Sequence, residues 1–492
     1  MTQPHSSYPG SHLLDGAVRV FLAEALFPLT GLITAAFLTR RLGPEDYGLL
    51  SLAATIVGWV EWTITSVLSR AAIKFVSESN DWRPTGATVL RLYLGVSIAA
   101  AFALWHLATP IAGLLDETSL GLYLQLFALD IPVFGLAQAH RNVLIGLGNF
   151  RQRAVTGAGR WISRLLLIIL LVELGFSVPG AILGNIGASI SELLVSRFYI
   201  RLSFISRSAF SAPQVWRYAA PLFLATFSLG LYTHLDLLAL KALGGSASQA
   251  GMLSAARNLS LLPGFFASAI APLLQSTLGH LLQSGKQAEA RAMGRQALRI
   301  IFGLFPFISI SIGASQEIVT WVFGPLFAPA APLFSTLMLA ALALVIIAVV
   351  SAILIASGKP ERIVTLAGPL APLACIGHLL LVPRLGALGA ALVSLAVAWI
   401  GALTALLIVY RLWRIAPPIG TFWRTGVVSA SVYILTISWK TPGVFLLGKL
   451  TVLCLSVVAL FFLLGEFTLS ELAAVRSIPR LSTTSEQHQR KN

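Results

Sequence analysis

Seven ionisable residues stand within or at the ends of long apolar stretches: Arg257, Arg19, Arg91, Asp236, Glu24, Glu61 and Asp130. A charge at membrane depth is costly and usually faces a cavity, so each is a candidate for chemistry. Arg257 lies in Gly251-Met252-Leu253-Ser254-Ala255-Ala256-Arg257-Asn258-Leu259, about two turns into an apolar segment. A guanidinium facing a cavity can hold a diphosphate through paired hydrogen bonds. The competing readings are an ion pair with Asp236 on the preceding segment, or snorkelling to the interface. Asp236 is accordingly either an ion-coupling carboxylate or a salt-bridge partner. It lies five residues from Lys241, so the two point to different faces of a helix. Glu24, Glu61 and Asp130 fall in the first, second and fourth apolar segments with no basic neighbour in sequence. A buried carboxylate can exchange protons as a cavity opens and closes, or simply bond to a neighbouring helix. Arg19 and Arg91 stand nearer the segment ends, as further anion contacts or interfacial anchors.

Other chemistries find no support. His106, His140, His378, Glu192 and Glu317 are scattered, with no HExxH or Cys/His spacing for a metal. Cys375 and Cys454 sit in apolar runs as isolated thiols. There is no GxSxG nucleophile and no GxxxxGK[ST] phosphate loop. No cofactor is implied, and a transport cycle would be driven by H+ or Na+ or by the substrate's own gradient.

The elements that must hold these residues follow from composition. Of 492 residues, 57% are apolar and 11% charged, against about a quarter charged in soluble domains. A water-soluble enzyme is excluded. At about 20 residues per crossing, the apolar content allows on the order of fourteen helices. Apolar segments fall near 17–39, 47–69, 88–112, 120–139, 161–179, 180–200, 218–240, 250–279, 300–323, 331–356, 363–382, 386–410, 422–439 and 444–465. With the N-terminus cytoplasmic, inner loops and tail hold about 26 Lys and Arg, among them Arg141, Arg153, Arg160 and Arg164, and outer loops about 6. That contrast satisfies the positive-inside rule, accounts for the net charge of +15, and places both termini in the cytoplasm. The first sixteen residues lack Lys and Arg and do not resemble a cleaved signal peptide.

Two halves echo one another. Leu42-Gly43 and Gly48-Leu49-Leu50-Ser51 match Leu243-Gly244 and Gly251-Met252-Leu253-Ser254. Arg153, Val155, Thr156, Ala158 and Gly159 match Arg362, Val364, Thr365, Ala367 and Gly368 at constant offset, as do Gly180-Ala181 and Gly389-Ala390. The expectation is an all-α polytopic membrane protein of about 14 transmembrane helices. Two six-helix lobes, 17–217 and 218–410, would be related by a parallel repeat, followed by two helices over 411–465. A cytoplasmic N-terminal tail (1–16) and C-terminal tail (466–492) flank them, the latter opening on a capping box at Thr468-Leu469-Ser470-Glu471. Tyr47, Trp161, Trp321, Trp413, Trp423 and Trp439 fall near segment ends and read as interfacial belt.

The stretch Arg40-Arg41-Leu42-Gly43-Pro44-Glu45-Asp46-Tyr47-Gly48 resembles the first loop of Wzx-type oligosaccharide flippases, the polysaccharide branch of the multidrug/oligosaccharidyl-lipid/polysaccharide exporter superfamily. Gly146-Leu147-Gly148-Asn149-Phe150-Arg151, Gly358-Lys359-Pro360 and Pro383-Arg384-Leu385-Gly386-Ala387-Leu388-Gly389-Ala390-Ala391 add to the resemblance. It implies translocation of an undecaprenyl-diphosphate-linked oligosaccharide across the bacterial inner membrane, for O-antigen, capsule or exopolysaccharide assembly. The implied partners are the lipid-linked glycan, membrane lipid, and a glycan polymerase and chain-length regulator, with no nucleic acid. In the related lipid II flippases an Arg at the place of Arg257 lines the central cavity. Those proteins also carry an Arg mid-way along the first helix, where this chain reads Leu32-Ile33-Thr34-Ala35, which argues against a lipid II role. The competitors are a multidrug cation antiporter of the same superfamily and a membrane polymerase or ligase of lipid-linked glycans. The latter would need a large outer loop, and the outer loops here are short.

Overall fold

The computed structural model describes residues 9–204, 210–217, 235–359, 361–415, 419–441 and 443–466; among them there are helices and short connections and no strand. Nine helical stretches of the described residues are long and apolar enough to cross a membrane. Many large side chains on their outer faces are exposed, Phe102, Leu194, Phe198, Phe445 and Leu463 among them. Apolar surface on that scale is stable only where the solvent is lipid. The tail residues from 467, with the capping box, lie outside the described residues.

The chain divides into two compact units. The first comprises residues 1–259, 322–333 and 371–394. Its α1 (Pro9–Ser77) would run to roughly 100 Å if straight, over three times the hydrocarbon thickness. It breaks at Gly43 (φ 74°, ψ 179°), directly before Pro44, whose missing N–H cannot continue the helical ladder. α2 (Trp82–Leu114) starts at Asp81, whose side chain accepts from the Arg83 amide at 3.1 Å. α3 (Thr118–Ala128), α4 (Asp130–Gly146), α5 (Phe150–Leu171) and α6 (Ser177–Tyr199) complete the first half. A π-turn over Val172–Phe176 joins α5 to α6, and these two helices form the most extensive pairing in the unit. Gly184 permits it by lying against the Ile168 backbone. Helical residues 235–242 (α7) and α8 (Ala247–Ser260) follow. α1 crosses α8 backbone to backbone just beyond its break. Gly48 rests on the Ala247 carbonyl and Gly251 on the Pro44 carbonyl, with no room for a side chain on either.

The second unit comprises residues 260–321, 334–370 and 395–492. It contains α9 (Leu262–Gln283), α10 (Gln287–Phe302), α11 (Phe305–Gly313), most of α12 (Ser315–Phe323) and α13 (Ala331–Ala356), and α14 (Glu361–Ala367). The latter part of α15 (Leu370–Trp413), α16 (Ile419–Ser438) and α17 (Phe445–Leu463) belong to it too. Ile310, Val428, Val432, Leu453, Val457 and Phe461 form a shared apolar core of α11, α16 and α17. On α17 Lys449 is fully buried and meets Glu317 of α12 at 2.6 Å. Glu466 ties α10 to α16 and α17, receiving Arg299 at 2.8 Å, Arg424 at 3.0 Å and the Thr421 hydroxyl at 2.7 Å.

The matched stretches beginning at Arg153 and Arg362 both occupy helix starts, in α5 and α14. At the same 209-residue offset, Ser177 (φ 48°, ψ −130°) and Gly386 (φ 56°, ψ −132°) adopt one unusual conformation at a helix bend.

Candidate functional site

The polar residues of the first unit gather where α1, α4, α5 and α6 meet. Arg153, Arg160 and Arg164 are spaced seven and four apart, so they share one stripe of α5. Asn185, Ser189, Glu192 and Ser196 form the complementary stripe of α6, and all four are buried. Since α5 and α6 run antiparallel through the π-turn, the stripes face one another. Arg160 Nη1 meets Glu192 Oε2 at 2.9 Å, and Arg141 of α4 approaches Glu192 Oε1 at 3.5 Å. Glu192 is 0% exposed and the Arg160 side chain 7%. The Arg160 guanidinium also lies 4.8 Å from the Phe134 ring centre, within cation–π range. A buried ion pair of this kind holds only if its remaining polar atoms find partners.

Two of the expected carboxylates belong to this cluster. Asp130, fully buried, accepts from Asn185 Nδ2 at 2.6 Å. Glu61 of α1 stands within electrostatic reach of Asp130, Arg160, Arg164 and Glu192. Its Oε1 is buried without a hydrogen-bond partner among the described residues. The carboxylates that lacked basic neighbours in sequence thus gain arginines through the fold. Chemically, the cluster sets three carboxylates against the guanidinium groups of Arg141, Arg160 and Arg164 in a low-dielectric interior. Such a set can accommodate a proton or a small cation at a carboxylate with spare lone pairs.

Arg160 and Arg164 are a correction to the loop assignment. Hydropathy opens the fifth segment near 161, whereas α5 begins at Phe150 and carries Arg153 and Arg160 inward, both buried. The signal that identifies them is their helical spacing, which averaged hydropathy discards. Glu192, scattered in sequence, is the centre of the cluster. Two belt aromatics have partners within the bundle. Tyr47 is buried and its hydroxyl accepts from Asn258 Nδ2 at 2.9 Å; Trp161 packs on Phe27 with ring centres 4.5 Å apart.

Arg257 and Asp236 come together as the ion pair weighed from sequence, Nη1 to Oδ1 at 2.8 Å. Asp236 Oδ1 also accepts from the Leu237 amide at 2.9 Å, and buried His378 of α15 lies within electrostatic reach. The Arg257 side chain keeps 29% of its surface exposed, against 12% for Asp236. Lys241, on the other face of α7, pairs with Glu117 at 2.8 Å. Arg91 is exposed on α2 and bonds back to Ala87 O and Thr88 Oγ1, each at 3.3 Å. The side chains of Arg19 and Glu24 lie outside the described residues, as does His234.

Comparison with known proteins agrees with this architecture. The succinoglycan biosynthesis transport protein ExoT of Rhizobium meliloti (strain 1021) is 24% identical over 286 residues, 56% of each chain. The chain therefore spans about half the length of that curated relative. The lipid II flippase MurJ, in an inward closed conformation, shares the fold with a TM-score of 0.73 at 14% identity, over 94% of this chain and 100% of that one. An inward-facing multidrug resistance MATE family transporter of the MOP superfamily gives a TM-score of 0.66 at 14% identity, covering 80% of this chain and 99% of its own. The polysaccharide biosynthesis protein family matches residues 13–276, more than half of the sequence, and the chain belongs to that family.

Proposed function

We propose that the protein is a flippase that moves an undecaprenyl-diphosphate-linked oligosaccharide from the cytoplasmic to the outer leaflet of the bacterial inner membrane by alternating access. Family membership and a fold like that of MurJ support a transporter of polysaccharide biosynthesis rather than an enzyme. Fourteen crossings are the natural count. The breaks at Gly43, Gly175 and Gly386 divide each long stretch into two crossings, and α16 and the apolar segment read from sequence at 218–240 would bring the number to fourteen. Two lobes over 17–217 and 218–410 and cytoplasmic termini follow from the repeat and the Lys/Arg asymmetry.

The observation that carries the proposal is the Arg257–Asp236 pair. The Arg257 guanidinium, bonded to Asp236 at 2.8 Å with 29% of its side chain exposed, can exchange its carboxylate for a diphosphate oxygen and recover it on release. Asp236 stays behind as the charge that the substrate displaces. Arg19 and Arg91 are further contacts for the headgroup near the interface. Glu61 and Asp130 are the H+ or Na+ coupling carboxylates of the first half, with Glu24 a third. The glycan polymerase and chain-length regulator that consume the product are the expected partners.

The test is deletion of the gene followed by mass spectrometry of lipid-linked glycans. An accumulated inner-leaflet glycan-diphosphate lipid is expected, and Arg257→Ala at equal protein abundance should reproduce it. Intact surface polysaccharide without any such lipid would refute the proposal. A multidrug cation antiporter, favoured by the MATE-like fold, predicts extrusion of small cationic dyes instead. A polymerase or ligase predicts turnover of lipid-linked glycan by the purified chain without translocation.

A further inference from the structure

Four membrane-crossing stretches end at one cavity of the second unit. Ala247–Gln283 and Pro325–Ala356 finish there, Gln287–Gly313 begins there, and Leu370–Trp413 closes on Trp413. The cavity therefore sits at the level of a membrane surface, which the Lys/Arg asymmetry makes the cytoplasmic one. It encloses about 550 Å³ and is lined by Arg291, Lys359, Gln283, Gln287 and Trp413 among others. Its two sides are framed by a repeated turn, Ser284-Gly285-Lys286 after α9 and Ser357-Gly358-Lys359 after α13. Among the described residues, Arg291 and Lys359 have no ion-pair partner and no carboxylate lines the cavity.

Farther along the same three helices, α9, α10 and α13, lies a second cavity of about 530 Å³. Its lining is apolar, with Ile270 and Leu274 of α9, Met293 and Ile301 of α10, and Val345 of α13. On each helix the polar lining comes at the membrane surface and the apolar lining follows inward. The order is that of an amphiphile, a charged head at the interface and a chain in the hydrocarbon.

We propose that the paired cavities bind a lipid with an anionic, phosphate-bearing head and a long apolar tail. The phosphate sits between the Arg291 guanidinium and the Lys359 ammonium, with Gln283 and Gln287 as neutral hydrogen-bonding groups. Trp413 marks the headgroup level. The tail runs against α9, α10 and α13. The site is separate from Arg257 and does not depend on the flippase reading. A phospholipid and a polyprenyl diphosphate share this chemistry, and a soluble phosphate would occupy the polar half alone.

Native mass spectrometry of the full chain in detergent tests it, with phosphatidylglycerol, phosphatidylcholine, a polyprenyl diphosphate and inorganic phosphate as separate probes. Arg291→Gln with Lys359→Gln should weaken retention of the anionic lipids on the order of tenfold, the effect of two interfacial cations on an anionic head. Arg295→Gln, an exposed cation on α10 outside the cavity, should leave retention unchanged. Thr277→Trp, which fills the apolar half without altering charge, should also weaken it. Unchanged melting temperatures separate these effects from misfolding, and Arg291→Lys should retain part of the binding. Loss confined to one anionic lipid supports the site and identifies its source. Equal retention of phosphatidylcholine, or no effect of the double variant, overturns the proposal. Inorganic phosphate binding at the same cations, with Thr277→Trp silent toward lipid, overturns the lipid assignment.

Discussion

The buried pair of Arg160 and Glu192 gives the most exacting test of the polar cluster. Removing one member of a buried ion pair costs about 3–5 kcal/mol, because the survivor is left charged in a low dielectric. Local geometry sets where in that range each variant falls. In Arg160→Met, Glu192 keeps Arg141 at 3.5 Å, so the loss belongs at the low end, about 3 kcal/mol. In Glu192→Leu both Arg160 and Arg141 lose their nearest carboxylate, and Arg160 retains the Phe134 and Trp161 rings at 4.8 and 5.7 Å and the more distant charges of Asp130 and Glu61. That loss belongs at the upper end, about 5 kcal/mol. The double variant removes both charges of the pair but still deprives Arg141 of Glu192, so it should lie within roughly 3 kcal/mol of the parent, leaving a coupling energy on the order of 5 kcal/mol. Denaturant unfolding of the purified chain in detergent, run as a double-mutant cycle, measures it. Additivity within about 0.5 kcal/mol would refute the reasoning and leave the contact energetically silent.

Three further outcomes follow from the fold. Gly48→Val places a side chain on the Ala247 carbonyl and should destabilise the chain by about 1–3 kcal/mol, read from the shift of the denaturant midpoint. At the matched bends, Gly386→Ala should cost about 1–3 kcal/mol through its positive φ, and Ser177→Gly should stabilise, in the same assay. Glu466 is pushed up by burial, but hydrogen bonds from Thr421, Arg299 and Arg424 outweigh this and hold its carboxyl below the usual range. Its contribution is therefore full above about pH 4.3 and is lost as pH falls through the depressed value; Glu466→Gln should lower the melting temperature at neutral pH and remove that acid-side decline.

Asp130 and Glu61 were legible in the sequence because a carboxylate in an apolar run stands out against its neighbours. Their surroundings were not legible, since Arg160 lies thirty residues from Asp130 and nearly a hundred from Glu61. Arg153, Arg160 and Arg164 were obscured by the averaging that locates membrane segments. Three arginines lower the mean hydropathy and shift the apparent helix start to 161, past the true start at Phe150. Arg257 and Asp236 were readable as a pair because they sit on consecutive helices and short connections bring such neighbours together. Lys449, a charge within the last apolar segment, is buried against Glu317, a partner from a distant helix that sequence spacing does not indicate. The helical architecture was carried by patterns many residues long. The polar interior depended on single tertiary contacts.

The crossing of α1 and α8 has a symmetry hidden in its two glycines. Pro44 and Ala247 stand at the same offset as Gly48 and Gly251, and Gly48 meets Ala247 while Gly251 meets Pro44. Each segment thus presents the same surface to the other, the self-complementary pattern of a two-fold dimer contact realised within one chain. Substitutions at 48 and 251 consequently strain one interface from both sides, and their penalties are not independent. Within a single chain the two faces are also released from strict identity. Tyr47 uses that freedom to bury a ring and bond Asn258, whereas its counterpart Ala250 contributes only a methyl group.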